Sequence, residues 1–145
     1  MDLIQEEKKT DDIRKELTET PDLKEYLSEN QDLFASESVQ DLLNELYRKT
    51  DISKAELARR SGVSSVYLHQ LFAGKRHPSR DRLICLAIGL GVTLDETQQL
   101  LRRSGFAELY ARDKRDAVIL YGITHQQTLP EVNDALFDQG EDTLI

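Results

Sequence analysis

The sequence predicts an all-α protein, and three observations carry that prediction. Apolar residues recur at helical spacing along most of the chain. Gly or Pro stands at the ends of those stretches. No segment alternates with the period of two that marks a half-buried strand. The 145 residues include seven Gly and three Pro, which excludes a collagen-like or Pro/Gly low-complexity chain. The length suits one ordinary domain, or a small domain with extensions.

In chain order, the first dozen residues are acidic and poor in apolar side chains, and are expected to fray. Ile13 and Leu17 stand four apart. Thr20-Pro21 reads as a cap with Pro at the first helical position, before a stripe of Leu23, Tyr26 and Leu27. Val39, Leu42, Leu43, Leu46 and Tyr47 form one apolar stripe, capped by Ser38 or Ser36. Ser53-x-x-Glu56 reads as a capping box opening a helix over roughly 54–61, which Gly62 ends. Ser64 caps a helix over roughly 65–72 with Leu68 and Leu71 inward and Gly74 after it. After the break at His77-Pro78-Ser79, a helix over roughly 80–90 turns Leu83, Leu86, Ala87 and Leu90 to the core. Thr93-x-x-Glu96 and Thr128-x-x-Glu131 are two further boxes, with one more helix over 113–124 between them.

Charge is distributed unevenly. The net charge is -8, which taken whole argues against a nucleic-acid partner. Yet residues 51–80 carry six basic side chains (Lys54, Arg59, Arg60, Lys75, Arg76, Arg80) against two acids, a local +4. Residues 1–50 stand at -7 and residues 106–145 at -5. A polyanion responds to the local field, so the basic middle segment is the candidate site. Arg112–Asp116 reads as a solvated, salt-linked helix start.

Other chemistry is poorly represented. Cys85 is the single cysteine and lies in an apolar helix, so it is expected in the core, in a reducing compartment. His69, His77 and His125 have neither ligand spacing nor a Cys partner, and no metal or other cofactor is expected. Phosphate-loop, HExxH and GxSxG motifs are missing, so nothing favours an enzyme. No apolar run approaches the roughly 18–20 residues that span a bilayer, and MDLIQEEKKTDD does not resemble a secretory signal; a cytoplasmic protein with no membrane partner is expected.

Two short helices joined by Gly62-Val63-Ser64 have helix-turn-helix spacing. The segment Ile52–Gly91 resembles the DNA-binding domain of the bacterial and phage XRE/Cro-type repressors. Ser53, Leu57-Ala58, Gly62-Val63-Ser64, Leu68, Leu71, Gly74-Lys75, Pro78-Ser79 and Leu90-Gly91-Val92 fall at that family's spacings. Lys54 replaces the family's frequent Gln, and Phe72 its frequent Glu, with Phe72 expected to pack on a neighbouring helix. The resemblance implies a five-helix repressor-like bundle over 36–105, with an acidic N-terminal extension over 1–35, helical or partly flexible, and a helical C-terminal extension over 106–145.

The resemblance also implies roles. Ser65, Val66 and Gln70 would contact bases with His69 peripheral, Gln70 pairing with adenine and Val66 meeting a thymine methyl. Lys54, Ser64, Tyr67, Lys75 and Arg76 would contact phosphates. The expected function is a sequence-specific regulator of double-stranded DNA, a repressor acting as a homodimer. Phe106, Leu109, Tyr110, Val118, Ile119, Leu136 and Phe137 would supply a dimer surface or enlarge the core. The alternative is a protein-interaction adaptor or antitoxin-like partner that keeps the fold and binds a protein through either extension. The acidic N-terminal segment would either restrain DNA binding or serve as packed scaffold, with Leu33 and Phe34 among its packing residues.

Overall fold

The structure, a computed structural model, describes residues 10–30 and 38–145. It contains two compact units, residues 1–36 and 37–145. In the first, α1 spans Thr10–Glu19 and α2 spans Leu23–Glu29. Asp22 rather than Thr20 caps α2, its carboxylate accepting from the Glu25 amide at 3.2 Å. Pro21 therefore precedes the cap, and the stronger acceptor takes the orphan amide. Asp11 and Asp12, expected to fray, are helical. Residues 1–9, Leu33, Phe34 and the alternative cap Ser36 lie outside the described residues.

The second unit holds α3 (Val39–Arg48), α4 (Lys54–Ser61), α5 (Ser65–Phe72), α6 (Arg80–Leu90), α7 (Leu94–Arg103), α8 (Lys114–Thr124) and α9 (Leu129–Asp138). No strand occurs among the described residues, and the fold is all-α as expected. Each of these helices begins at a side-chain cap: Ser38, Ser53, Ser64, Ser79, Thr93, Asp113 and Thr128. Thr93 with Glu96 and Thr128 with Glu131 form complete capping boxes. The bonds from Thr128, backbone amide first and hydroxyl second, hold the Glu131 carboxyl below its usual range.

The centre of the unit is α6. The sequence pattern turns one face of this helix inward, but the structure buries Leu83, Ile84, Cys85, Leu86, Ala87, Gly89 and Leu90, which cover most of its circumference. The reason is that α4, α7 and α9 all pack on it. α4 packs closely at Gly89, where an added Cβ would fall 2.1 Å from the Ser61 hydroxyl oxygen and 3.1 Å from its backbone nitrogen. Any side chain at position 89 would push α4 away from α6. Burial pushes the Cys85 thiol up to about 12, so it stays protonated.

The C-terminal helices are joined to this core by two crossed ion pairs. Arg80 and Asp81 open α6, and Arg115 and Asp116 lie in the first turn of α8. Arg80 grips Asp116 through Nη1 and Nη2 at 3.2 and 3.0 Å, while Arg115 grips Asp81 at 3.0 and 3.1 Å. The remaining Arg80 donors reach the carbonyls of Ala107 and Glu108, and the Tyr110 amide donates to Asp116. Arg115 also donates to the carbonyls of Asp142 and Thr143, fastening the C-terminal tail. The hydrogen bonds from Arg115 to Asp81 raise the Arg115 pKa and keep its charge fixed. The solvated face expected over Arg112–Asp116 is thus corrected: Asp116 is buried, and this stretch joins two helices.

Leu109, Ile119 and Leu136 are buried in the same core as α4–α7, with Phe106 and Val118 packed against it. Tyr110 and Phe137 are exposed.

This packing has two measurable consequences. Removing Asp116 leaves the Arg80 guanidinium partly buried without its counter-charge, so Asp116→Ala should cost about 3–5 kcal/mol. Urea unfolding monitored by circular dichroism measures that loss, and a change below about 1 kcal/mol would contradict it. The Cys85 thiol, protonated and buried, should react with a thiol reagent at pH 8 only as fast as the protein opens. Labelling in native buffer is expected to be far slower than in urea, and equal rates would place Cys85 at the surface.

Candidate nucleic-acid interface

The turn between α4 and α5 is set by local backbone chemistry. Gly62 adopts φ +65°, a left-handed conformation that costs glycine little. The Val63 amide then bonds the Ala58 carbonyl at 3.0 Å and the Gly62 amide the Arg59 carbonyl at 3.3 Å, a Schellman closure. Val63 is buried, and Ser64 immediately caps α5 by accepting from the Tyr67 amide at 3.0 Å. The second helix can therefore start only three residues after the first ends.

α5 is sided. Leu68, Leu71 and Phe72 are buried. Ser65, Val66 and His69 are exposed, Val66 at 67%, while Tyr67 and Gln70 are half-buried. Phe72 packs edge-on against Tyr47 of α3 with ring centroids 5.5 Å apart, so the neighbour it was expected to find is the preceding helix. Gln40 and Asn44, one turn apart on α3, donate to the Phe72 carbonyl at 3.0 and 3.4 Å. These bonds satisfy a carbonyl in the last turn of α5 and fix the helix end on α3. The Lys54 ammonium sits 5.2 Å from the Phe72 ring centre and 6.0 Å from that of Tyr47, which holds its charge beside the α5 terminus.

A second cluster forms at the other edge of α5. The guanidinium groups of Arg76 and Arg82 each lie 5.3 Å from the Tyr67 ring centre. Arg76 Nε donates to Gln70 Oε1 at 3.0 Å. Behind them, the Lys75 amide bonds the Gln70 carbonyl at 2.9 Å and closes the end of α5.

Two shallow clefts flank the exposed helix face. Ser64, Val66, Tyr67, Gln70, Arg76 and Arg82 line one. Lys54, His69, Gln70 and Lys75 line the other, together with Asn44 and the end of α5. Gln70 belongs to both, and Ser65 to neither, standing exposed at the start of the helix. Of the nine residues singled out in the sequence, eight thus gather around one face.

The basic charges divide into two groups. Glu56 accepts from both Arg59 and Arg60, including Arg59 Nε at 2.9 Å and Arg60 Nε at 3.0 Å. These bonds, Arg59 first, lower the Glu56 pKa to about 2. The capping box expected at Ser53-x-x-Glu56 is accordingly only half formed. Ser53 accepts from the Glu56 amide, but the carboxylate has turned to two guanidinium groups, which attract it more strongly than one neutral amide. With Arg80 bound to Asp116, Lys54, Lys75 and Arg76 remain at the α5 face, and Arg82 joins them. Arg82 was missed in the sequence because it falls in the electrically neutral stretch 81–105. The available signal was Ser79: a cap there puts Arg82 in the first turn of α6, just after the loop that carries Arg76. Gln40 and Asn44 were also missed, although polar side chains four apart on a helix share a face.

Residues 43–97 match the helix-turn-helix family model. These residues form a helix-turn-helix domain. The match agrees with the XRE/Cro-type resemblance and points to a DNA-binding regulator of that kind. It covers α4, α5 and α6 entirely and parts of α3 and α7. No match to a curated protein or to a solved structure was found. Among the described residues, no helix is long and apolar enough to cross a membrane, and no group of three or more potential metal ligands occurs.

Phe72 ties the helix-turn-helix domain to α3. Phe72→Ala should cost about 3–5 kcal/mol through lost burial and the cavity left against Tyr47. Chemical denaturation of the variant checks this value, and a loss under about 1 kcal/mol would mean the ring is dispensable.

Proposed function

We propose that the protein is a sequence-specific regulator of double-stranded DNA, of the repressor type, that lays α5 in the major groove. The observation that carries this reading is the charge around α5. The chain holds 27 acidic residues, yet positions 57–80 contain none, and Lys54, Lys75, Arg76 and Arg82 ring the exposed helix face. A duplex approaching that face meets positive charge, while the acidic surface elsewhere disfavours other orientations.

In this reading Ser65, Val66 and Gln70 face base edges, with His69 at the margin. Lys54 and Lys75 anchor phosphates on one side, Arg82 on the other. The Ser64 hydroxyl, already an acceptor for its own helix, retains a proton to donate to a phosphate. Tyr67 supports the two guanidinium groups stacked on it and can donate its phenol to the backbone. One such face reads only a few base pairs, so a homodimer on a two-fold site is proposed, with half-sites about 34–36 Å apart. Tyr110, Tyr121 and Phe137 are exposed aromatic side chains of the C-terminal part that such pairing can use.

Those same exposed aromatics favour a second reading, a protein-interaction adaptor or antitoxin-like partner. The two readings separate in a mobility-shift titration with duplex DNA at several salt concentrations. A DNA-binding regulator should show a slope of log affinity against log salt of about -0.9 for each phosphate neutralised. Lys75→Ala should weaken binding to all sequences alike and make that slope shallower by about one unit. No retardation at low salt would favour the adaptor, and an unchanged slope would remove Lys75 from the interface.

A further inference from the structure

We infer that Gln70 and Arg76 act as one unit that reads guanine, a proposal that rests on α5 lying in the major groove. The sequence alone suggests adenine for Gln70, because a free amide can accept from the adenine amino group and donate to N7. In the structure this amide is not free. Arg76 Nε donates to Gln70 Oε1 at 3.0 Å. A guanidinium has donors and no acceptor, so only the amide oxygen can face it. The orientation of the Gln70 side chain is therefore chemically forced, and its NH2 group points away from Arg76.

The pair consequently shows a base edge two sets of donors, Gln70 Nε2 and the Nη groups of Arg76, with a positive charge behind them. Guanine presents two acceptors, N7 and O6, to the major groove; adenine presents one acceptor and an amino donor. Gln70 Oε1 keeps a second lone pair, but bringing the adenine amino group to it would place donor hydrogens beside the positively charged guanidinium bonded to the same oxygen. The same site attracts both guanine acceptors. Charge and hydrogen-bond pattern agree in selecting guanine.

The arrangement is also held in place before any ligand arrives. Arg76 lies over the Tyr67 ring, and the Lys75 amide ties the loop to the Gln70 carbonyl. Val66, one turn ahead on the exposed face, lines the same cleft as Gln70 and Arg76. Little freedom is lost when the pair docks, which favours selectivity at that base pair.

The test is selection from a randomised duplex DNA pool by the full-length protein, repeated with Gln70→Ala and Arg76→Ala. Arg76 is exposed and Gln70 half-buried, and a thermal melt matching the parent confirms that each variant is folded. The parent should enrich sites with a fixed guanine in each half-site. Gln70→Ala should relax that position. Arg76→Ala frees the amide oxygen and should move the preference there from guanine to adenine, with the guanine-to-adenine affinity ratio falling roughly tenfold or more. If the parent enriches adenine at the position Gln70→Ala relaxes, the guanine assignment is overturned and DNA binding stands. If Arg76→Ala weakens all sequences equally and leaves the motif unchanged, Arg76 is a phosphate contact and the proposal also fails. A parent that retains no DNA overturns both this proposal and the reading on which it rests.

Discussion

The fold of residues 37–145 depends on a helix that must be covered on nearly every side. α6 carries apolar side chains around most of its circumference, and neighbours on one side alone cannot cover such a helix. α4 takes one side through the close contact at Gly89 and Ser61, α7 takes a second, and α9 a third. The position of α5 is a consequence, because α4 is fixed against α6 and only three residues separate α5 from α4. The exposed face of α5 is thus oriented by contacts that lie mostly behind it.

The same arrangement determines how much positive charge remains for a ligand. Of the six basic residues in 51–80, Arg59 and Arg60 are drawn to Glu56 and Arg80 is drawn to Asp116. None of the three is neutralised, but each has a partner that a phosphate would have to share. Lys54 and Arg76 are held differently, over aromatic rings that orient a cation without cancelling its charge. A formal count along the sequence treats all six alike. The structure separates charges that join helices from charges presented outward, and adds Arg82 to the second group.

Much of this was legible in the sequence because it rests on local rules. The caps at Ser38, Ser53, Ser64, Ser79, Thr93 and Thr128 are marked by residue type, and those at Ser53, Thr93 and Thr128 also by a Glu three positions on. The inward leucines of α5 are given by helical period alone. The illegible parts are long-range choices among equally plausible partners. Glu56 had a backbone amide and two arginines within reach, and the charged partners won. Arg115 and Asp116 looked like solvated surface because their partners stand more than thirty positions away. Gln70 was correctly placed on the outward face, but nothing in its neighbours along α5 shows that Arg76 folds back onto its oxygen. Cys85 was legible as core, whereas the burial of Ile84 beside it required knowing that a further helix covers that side.

The crossed pairs between α6 and α8 bear on how portable the helix-turn-helix domain is. The family match ends at residue 97, inside α7, before the buried Leu100 and Leu101 and before Arg115 and Asp116. A chimera built from that segment alone would carry Arg80 and Asp81 without their mates and one flank of α6 uncovered. Exposed apolar surface next to unmatched charge invites aggregation. Grafting this domain onto another protein therefore means transplanting the chain from α3 through the tail that Arg115 fastens. What sequence comparison marks as a detachable module is, in this protein, the front half of a larger unit packed around one core.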